Sequence, residues 1–275
     1  MNERFIYWIK LLILSLLQGF TEILPISSSG HILLFETLLQ LTPSLFFIVF
    51  LHLGSMLAVF LFFHKEITRI IKSFFMYLFH SKREEHIKKD FHFCIMLIIA
   101  SFPAGIIGVL FNDFIEKTFY QPIFVIFGFY LTALLLFLLR YFKSNRKESE
   151  MNWKDALLIG LSQAIGIIPG ISRSGITISA LKARHFDDES ATHFSFYMLM
   201  PVTFGSFIVE TIQLIKSPVT IVKANVFPIS VCVIVSFVTT FISLQIFLKI
   251  IKKGKLWYFS LYLIILSTVF IFLLK

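Results

Sequence analysis

A chain of 275 residues that is 57% hydrophobic and only 15% charged, with a mean hydropathy of +0.86, does not read as a soluble domain. Soluble domains carry roughly 25% charged residues. The formal net charge of +9 would suggest nucleic acid in a soluble chain; here basic loops on the cytoplasmic side of a membrane account for it, and no nucleic-acid partner is expected.

Apolar runs near the ~20 residues needed to cross a bilayer recur along the chain. They lie at 5–24, 44–63, 91–111, 122–139, 156–171, 193–215, 226–248 and 256–274. The first faintly resembles a signal peptide, but no small-residue cleavage site follows, so it is expected to remain in the mature protein. Cys94 and Cys232 both fall inside runs and read as small packing residues, silent about redox compartment.

Charge sorts the loops between these runs. Segment 64–90 holds Lys65, Arg69, Lys72, Lys82, Arg83, Lys88 and Lys89. Segment 140–154 holds Arg140, Lys143, Arg146, Lys147 and Lys154, and 249–255 holds Lys249, Lys252, Lys253 and Lys255. By contrast 36–43 has no basic residue, 112–121 has only Lys117, and 216–225 has Lys216 and Lys223. The positive-inside rule puts the first three in the cytoplasm and the others outside.

Following the chain from these assignments, segment 155–181 begins and ends on the cytoplasmic side. It must dip into the membrane and return, turning at "PGISRSG". Irregular backbone at that depth is tolerated only where protein or a watery cavity satisfies it.

The first run holds a matching stretch. "LLQGFTEILPISSSGHILLF" lies under "LSQAIGIIPGISRSGITISA" at an offset of about 145 residues. Gln18 pairs with Gln163, Ser27 with Ser172, Ser29 with Ser174 and Gly30 with Gly175, while Ser28 pairs with Arg173. The expected fold is an all-α polytopic membrane protein forming one membrane domain over 1–275. Its inverted-topology repeats span approximately 1–142 and 153–275, each with one re-entrant helical hairpin and three transmembrane helices. Both termini then lie outside the cytoplasm, with Arg4 and Lys10 as a minor violation of the charge rule.

The polar residues concentrate in the two turns. Gln18 and Glu22 are spaced i, i+4 and share one face of the first half-helix, which Pro25 should end. Ser27, Ser28, Ser29 and Gly30 form a turn of hydroxyls and backbone N–H groups, with a new helix starting near His31. A turn leading into a helix N-terminus suits an anion. Ser172, Arg173, Ser174, Gly175 and Thr177 repeat that arrangement, and an arginine fork matches phosphate oxygens.

Any single serine here could merely bond the i−4 carbonyl. An Arg or Glu at bilayer depth costs several kcal/mol and reads as functional. Glu22, His31 and Arg173 all sit in broken helices related by the repeat, and that coincidence carries the functional reading. Elsewhere, Glu36 and Glu210 read as interfacial, His52 and His92 as structural, and His64, His80, His86 and His185 as solvated. "KREEHIKKD" reads as a charged cytoplasmic loop with phospholipid contact as an extra role.

"QGFTEILPISSSGH" and "PGISRSGIT" resemble the two signature motifs of the bacterial undecaprenyl-diphosphate phosphatase family, also called bacitracin-resistance proteins. "HLGSMLAVFLFF" at 52–63 resembles a further family segment, and the length suits the whole chain. The resemblance implies removal of the terminal phosphate from a C55 polyprenyl diphosphate, recycling the carrier for peptidoglycan precursors. The family's site residues correspond to Glu22, Ser27, Ser28, Ser29, His31, Ser172, Arg173, Ser174 and Thr177.

The resemblance also implies dependence on a divalent cation, Mg²⁺ by the usual pairing with diphosphate, held by Glu22 and shared with the substrate. Gln18 stands at the first motif position and leaves one carboxylate there. The implied catalytic set is Glu22, Ser28, His31 and Arg173, with either Ser28 or His31 as nucleophile. Gln18, Ser27, Ser29, Ser172, Ser174 and Thr177 bind substrate.

Membrane lipids are the expected surroundings, with a lateral opening between helices, and a homodimer is left open. Another lipid-phosphatase pattern, Ser-Arg-x5-His-x3-Asp, fails because Ser179 stands where its His would fall. The runner-up is a secondary transporter or flippase for an anionic lipid, since inverted repeats with broken helices mark that class.

Overall fold

The computed structural model describes residues 3–79, 84–142, 144–216 and 226–274. His80, Lys82, Arg83, Lys143 and Lys223 lie outside the described residues, as do the side chains of Glu210, Lys216 and Lys252. The described chain is almost wholly helical. Its helices are α1 (Glu3–Thr21), α2 (Ser28–Leu39), α3 (Leu45–Phe62), α4 (His64–Phe79), α5 (Glu85–Phe119) and α6 (Pro122–Leu138). These are followed by α7 (Trp153–Ile165), α8 (Arg173–Ala183), α9 (Asp188–Lys216), α10 (Val226–Lys252) and α11 (Tyr258–Leu273).

Among the described residues, α1, α5, α6, α9 and α10 are long and apolar enough to cross a bilayer, and α3 with α4 would make a sixth span. This is a multi-pass helical protein. α7 and α8, at 13 and 11 residues, are too short to cross alone. Each follows or precedes a non-helical turn at 166–172, just as α1 and α2 flank the turn at 22–27.

Two local expectations are corrected. In the segment read as a loop over 64–90, His64–Phe79 is helical: α4 bends 76° away from α3 and lies back on α5. Ile67, Ile70, Ile71 and Phe74 recur at helical spacing, and the interspersed Lys65, Arg69 and Lys72 hide that stripe from a hydropathy reading. Phe74 and Tyr77 stack on Phe91, at 5.4 and 3.9 Å between ring centres, while Arg69 and Ser73 both bind Asp90. Pro25 does not end α1 either; the helix stops at Thr21, and Glu22 still donates its N–H to the Gln18 carbonyl at 3.0 Å.

In lipid the hydrophobic effect does not drive one helix onto another, so close approach through small and hydroxyl residues must do it. The α3–α10 contact is of that kind: Ser55 and Ser236 bond at 3.0 Å, and Thr240 donates to Ser55 at 3.0 Å. Large apolar side chains such as Phe102, Leu110 and Phe127 point outward to where lipid would lie. The largest buried cluster, including Ile23, Ile26, Phe129, Phe196 and Phe247, packs directly under the first turn.

The junction before α7 is stapled to the end of α8. Asp155 is fully buried and receives Arg146 and Arg184, each at 2.7 Å. Burial alone would raise its carboxyl pKa, but the two guanidinium groups and the Asn152 N–H hold it below the ordinary aspartate value.

Candidate active site

Both turns are built alike. Ser27 caps α2 by accepting the Gly30 N–H at 3.4 Å, and Ser172 caps α8 by accepting the Gly175 N–H at 3.1 Å. Ser27 holds φ 67° and Gly170 holds φ 90°. A non-glycine at positive φ costs on the order of 1 kcal/mol or more, so the surrounding contacts must enforce the first turn. Thr132 on α6 fixes the second turn by accepting the Ser172 N–H at 3.0 Å and donating to the Gly170 carbonyl at 3.3 Å.

The turns meet. A Cβ on Gly30 would lie 2.9 Å from the Gly170 Cα, a contact only glycine permits. Ser174 donates to the Leu24 carbonyl at 3.4 Å, tying the start of α8 to the first turn.

A cavity of about 190 Å³ opens between them, lined by Glu22, Ser28, His52, Arg173 and Thr203 among others. That is about six water volumes. Ser27, Ser29, Ser172 and Ser174 also contribute to its wall, so the first turns of α2 and α8 both present their N-terminal ends to it.

Glu22 is the hub. Its Oε2 accepts from Ser28 Oγ at 2.7 Å and from Gln18 Nε2 at 2.9 Å, as their i, i+4 spacing anticipates. Arg173 Nη2 reaches Glu22 Oε1 at 3.4 Å, and its Nη1 lies 3.5 Å from Thr203 Oγ1. The side chains of Glu22 and Arg173 are 7% and 20% exposed, and Glu22 is the carboxylate that offsets the buried guanidinium charge. A serine hydroxyl aimed at a carboxylate, with a guanidinium alongside, is the arrangement of a nucleophile, a base and an anion clamp.

The family described as "Bacitracin resistance protein BacA" matches residues 11–269. This chain belongs to that family. It is 40% identical to "Undecaprenyl-diphosphatase 3" of Bacillus anthracis over 266 residues, covering 96% of this chain and 97% of the relative. It is 37% identical to "Undecaprenyl-diphosphatase 1" of Shouchella clausii, with 96% of each chain covered. It is also 36% identical to "Undecaprenyl-diphosphatase" of Oceanobacillus iheyensis, with 98% of each covered.

Three of the sequence-derived residues stand back from the cavity. Gln18 is fully buried behind Glu22. Thr177 bonds the Arg173 carbonyl at 2.9 Å and Ser195 Oγ at 2.7 Å, fastening α8 to α9. His31 is fully buried between Phe129 and Tyr262, with Nδ1 2.8 Å from the Ser27 carbonyl and Nε2 2.8 Å from the Tyr262 hydroxyl. A carbonyl can only accept, so Nδ1 carries the proton and Nε2 accepts from Tyr262. Both ring nitrogens are thus engaged behind the turn, and His31 does not line the cavity that Ser28 and Arg173 share.

His52, read from sequence as structural, does line the cavity, as do Thr203 and Ser206. A polar residue inside an apolar run was the available signal for each.

As for a cation, no group of three or more His, Cys, Asp or Glu suited to a metal occurs among the described residues. One observation bears on a shared cation: Gln18 Oε1 is buried beside Glu22 with no hydrogen-bond partner. Gln18 does not line the cavity, however, so Glu22 is the one carboxylate there that a Mg²⁺ shared with substrate could use, its remaining ligands coming from phosphate and water, the ordinary mode for that ion.

Proposed function

We propose that this chain is an integral membrane phosphatase of the bacterial plasma membrane that hydrolyses undecaprenyl diphosphate to undecaprenyl phosphate and inorganic phosphate. Such a reaction returns the lipid carrier to peptidoglycan synthesis and underlies resistance to bacitracin, which fits the family's name. The observation that carries the reading is the Ser28–Glu22–Arg173 constellation in one buried cavity. A carrier or flippase for an anionic lipid would need the arginine but has less need of a hydroxyl held on a carboxylate.

In the mechanism we infer, Arg173 and the first turns of α2 and α8 hold the diphosphate. Glu22 takes the Ser28 proton as Oγ attacks the terminal phosphorus, and the bridging P–O bond breaks to release polyprenyl phosphate. Water then attacks the phosphoserine phosphorus and leaves its second proton on a phosphate oxygen; the P–Oγ bond breaks as Glu22 returns the first proton to Ser28 Oγ, and inorganic phosphate leaves. His31 holds the backbone of the turn through Ser27 rather than reacting. A Mg²⁺, if bound, would rest on Glu22 and supply charge neutralisation at the diphosphate.

Purified protein should release phosphate from a polyprenyl diphosphate. Arg173→Lys should lower kcat/KM by about 10²-fold, because a point charge cannot replace the two-pronged fork; near-normal turnover would remove Arg173 from the site.

The finer architecture we infer is the inverted repeat within a single membrane domain. Helix pairing supports it: α1 packs on α10 as α7 packs on α5, and each half-helix packs on its successor, α1 on α2 and α7 on α8. Both termini then lie outside the cytoplasm. Cysteines placed singly at positions 2 and 274 should react with an impermeant maleimide in intact cells; labelling only after permeabilisation would overturn this topology.

A further inference from the structure

A second cavity is larger than the catalytic one. A groove of about 650 Å³, against 190 Å³ for the site cavity, runs between α1, the end of α10 and the start of α11. Its walls are apolar, formed by Leu16, Leu17, Phe20, Ile250 and Phe259 among others, and no acidic residue lines it. Lys253 and Lys255 line it too, on either side of Gly254 where α10 ends. Both lysines are exposed, and neither has a carboxylate within ion-pairing distance among the described residues.

We propose that this groove binds an anionic phospholipid, with its phosphate on Lys253 and Lys255 and an acyl chain along α1 and α11. Lys255 has the Tyr258 ring at 5.3 Å but no carboxylate. An apolar slot beside two cations without a carboxylate partner matches a molecule that joins a long apolar chain to a phosphate, and basic pockets between membrane helices recognise such headgroups. The lysine end belongs to the segment read as cytoplasmic, so the lipid comes from that leaflet. Zwitterionic lipid offers the same chain but adds a cation that the lysines repel.

The groove also reaches the catalytic turn. Thr21 and Leu24 line both the groove and the site cavity. Tyr262, at the groove wall, is the residue that holds His31 Nε2 at 2.8 Å. A bound acyl chain therefore packs against the back of the turn that carries Ser28, and the site is a positioning site for that turn. This coupling rests on the proposed phosphatase reading; the lipid binding does not.

The test is native mass spectrometry of the delipidated full-length protein, titrated separately with dioleoylphosphatidylglycerol and dioleoylphosphatidylcholine. Wild-type protein should retain one phosphatidylglycerol in preference to phosphatidylcholine. Lys253→Gln with Lys255→Gln should weaken that retention on the order of thirtyfold, from two surface cations. Leu16→Trp, which fills the groove and leaves the lysines, should weaken it as well.

Equal retention of the two lipids, or phosphatidylglycerol binding unchanged in the double variant, overturns the proposal. So does full binding by Leu16→Trp, which would reduce the lysines to a surface patch. Displacement of the lipid by polyprenyl diphosphate at equal concentration would reassign the groove to the substrate's own chain. Turnover measured in phosphatidylcholine vesicles should be the same for wild type and the lysine variant, and only wild type should change when phosphatidylglycerol is added. A catalytically silent protein that still binds lipid as described would fail the phosphatase reading and not this one.

Discussion

Glu22→Gln is expected to lower phosphate release from polyprenyl diphosphate by about 10³-fold or more, with the protein still folded. The carboxylate makes two contacts that a neutral amide cannot replace. It accepts the Ser28 proton across 2.7 Å, and it faces Arg173 at 3.4 Å. General-base assistance is typically worth 10²–10⁴-fold, and the amide also leaves Arg173 as a buried charge without its counter-ion.

Two companion variants separate these effects. Ser28→Ala removes the hydroxyl and keeps the ion pair, so it should lose activity to a similar degree while its thermal unfolding midpoint stays near wild type. The double variant should be little worse than either single one, since residues acting as a unit are far from additive. Measuring kcat for all three decides the matter. If Ser28→Ala retains more than about a tenth of wild-type turnover, the hydroxyl is not the nucleophile and a water held by Glu22 takes that role.

Much of this site is legible in the sequence because its key contacts are local or follow from the repeat. The i, i+4 spacing of Gln18 and Glu22 places them on one helix face, and the two serine turns announce themselves against apolar flanks. What stays hidden depends on partners far along the chain. Nothing in the sequence around His31 shows that Tyr262, 231 residues away, meets its second nitrogen. His52 looks structural until α3 brings it to the cavity wall.

The Asp155 staple is hidden in the same way, for its two arginines sit in separate connections that only the fold brings together. α4 escapes notice for a different reason. An amphipathic helix with Lys65, Arg69 and Lys72 scores as a charged loop when hydropathy is averaged, although its apolar stripe is in register.

Gly170→Ala should damage both stability and activity, and the geometry says why one methyl group suffices. At φ 90° an L-residue is strained wherever it sits. The added Cβ would also lie 2.4 Å from the Val125 carbonyl oxygen and 2.7 Å from its Cα, which are backbone atoms of α6 and cannot swing aside. The turn must therefore move as a body. Gly30 of the first turn approaches the Gly170 Cα at the same junction, so the displacement reaches both halves of the site.

A cost of about 3–5 kcal/mol is expected, the range of the more severe single substitutions. A shift near 1 Å in the start of α8 would move Arg173 relative to Ser28, and misplacement on that scale costs about 10²-fold in rate. Gly105→Ala is the control, because a Cβ there meets nothing within 4 Å, and it should leave melting temperature and kcat/KM as they are. Wild-type behaviour from Gly170→Ala would show that the two turns do not form one rigid unit, and the catalytic geometry would then have to be held by the helices alone.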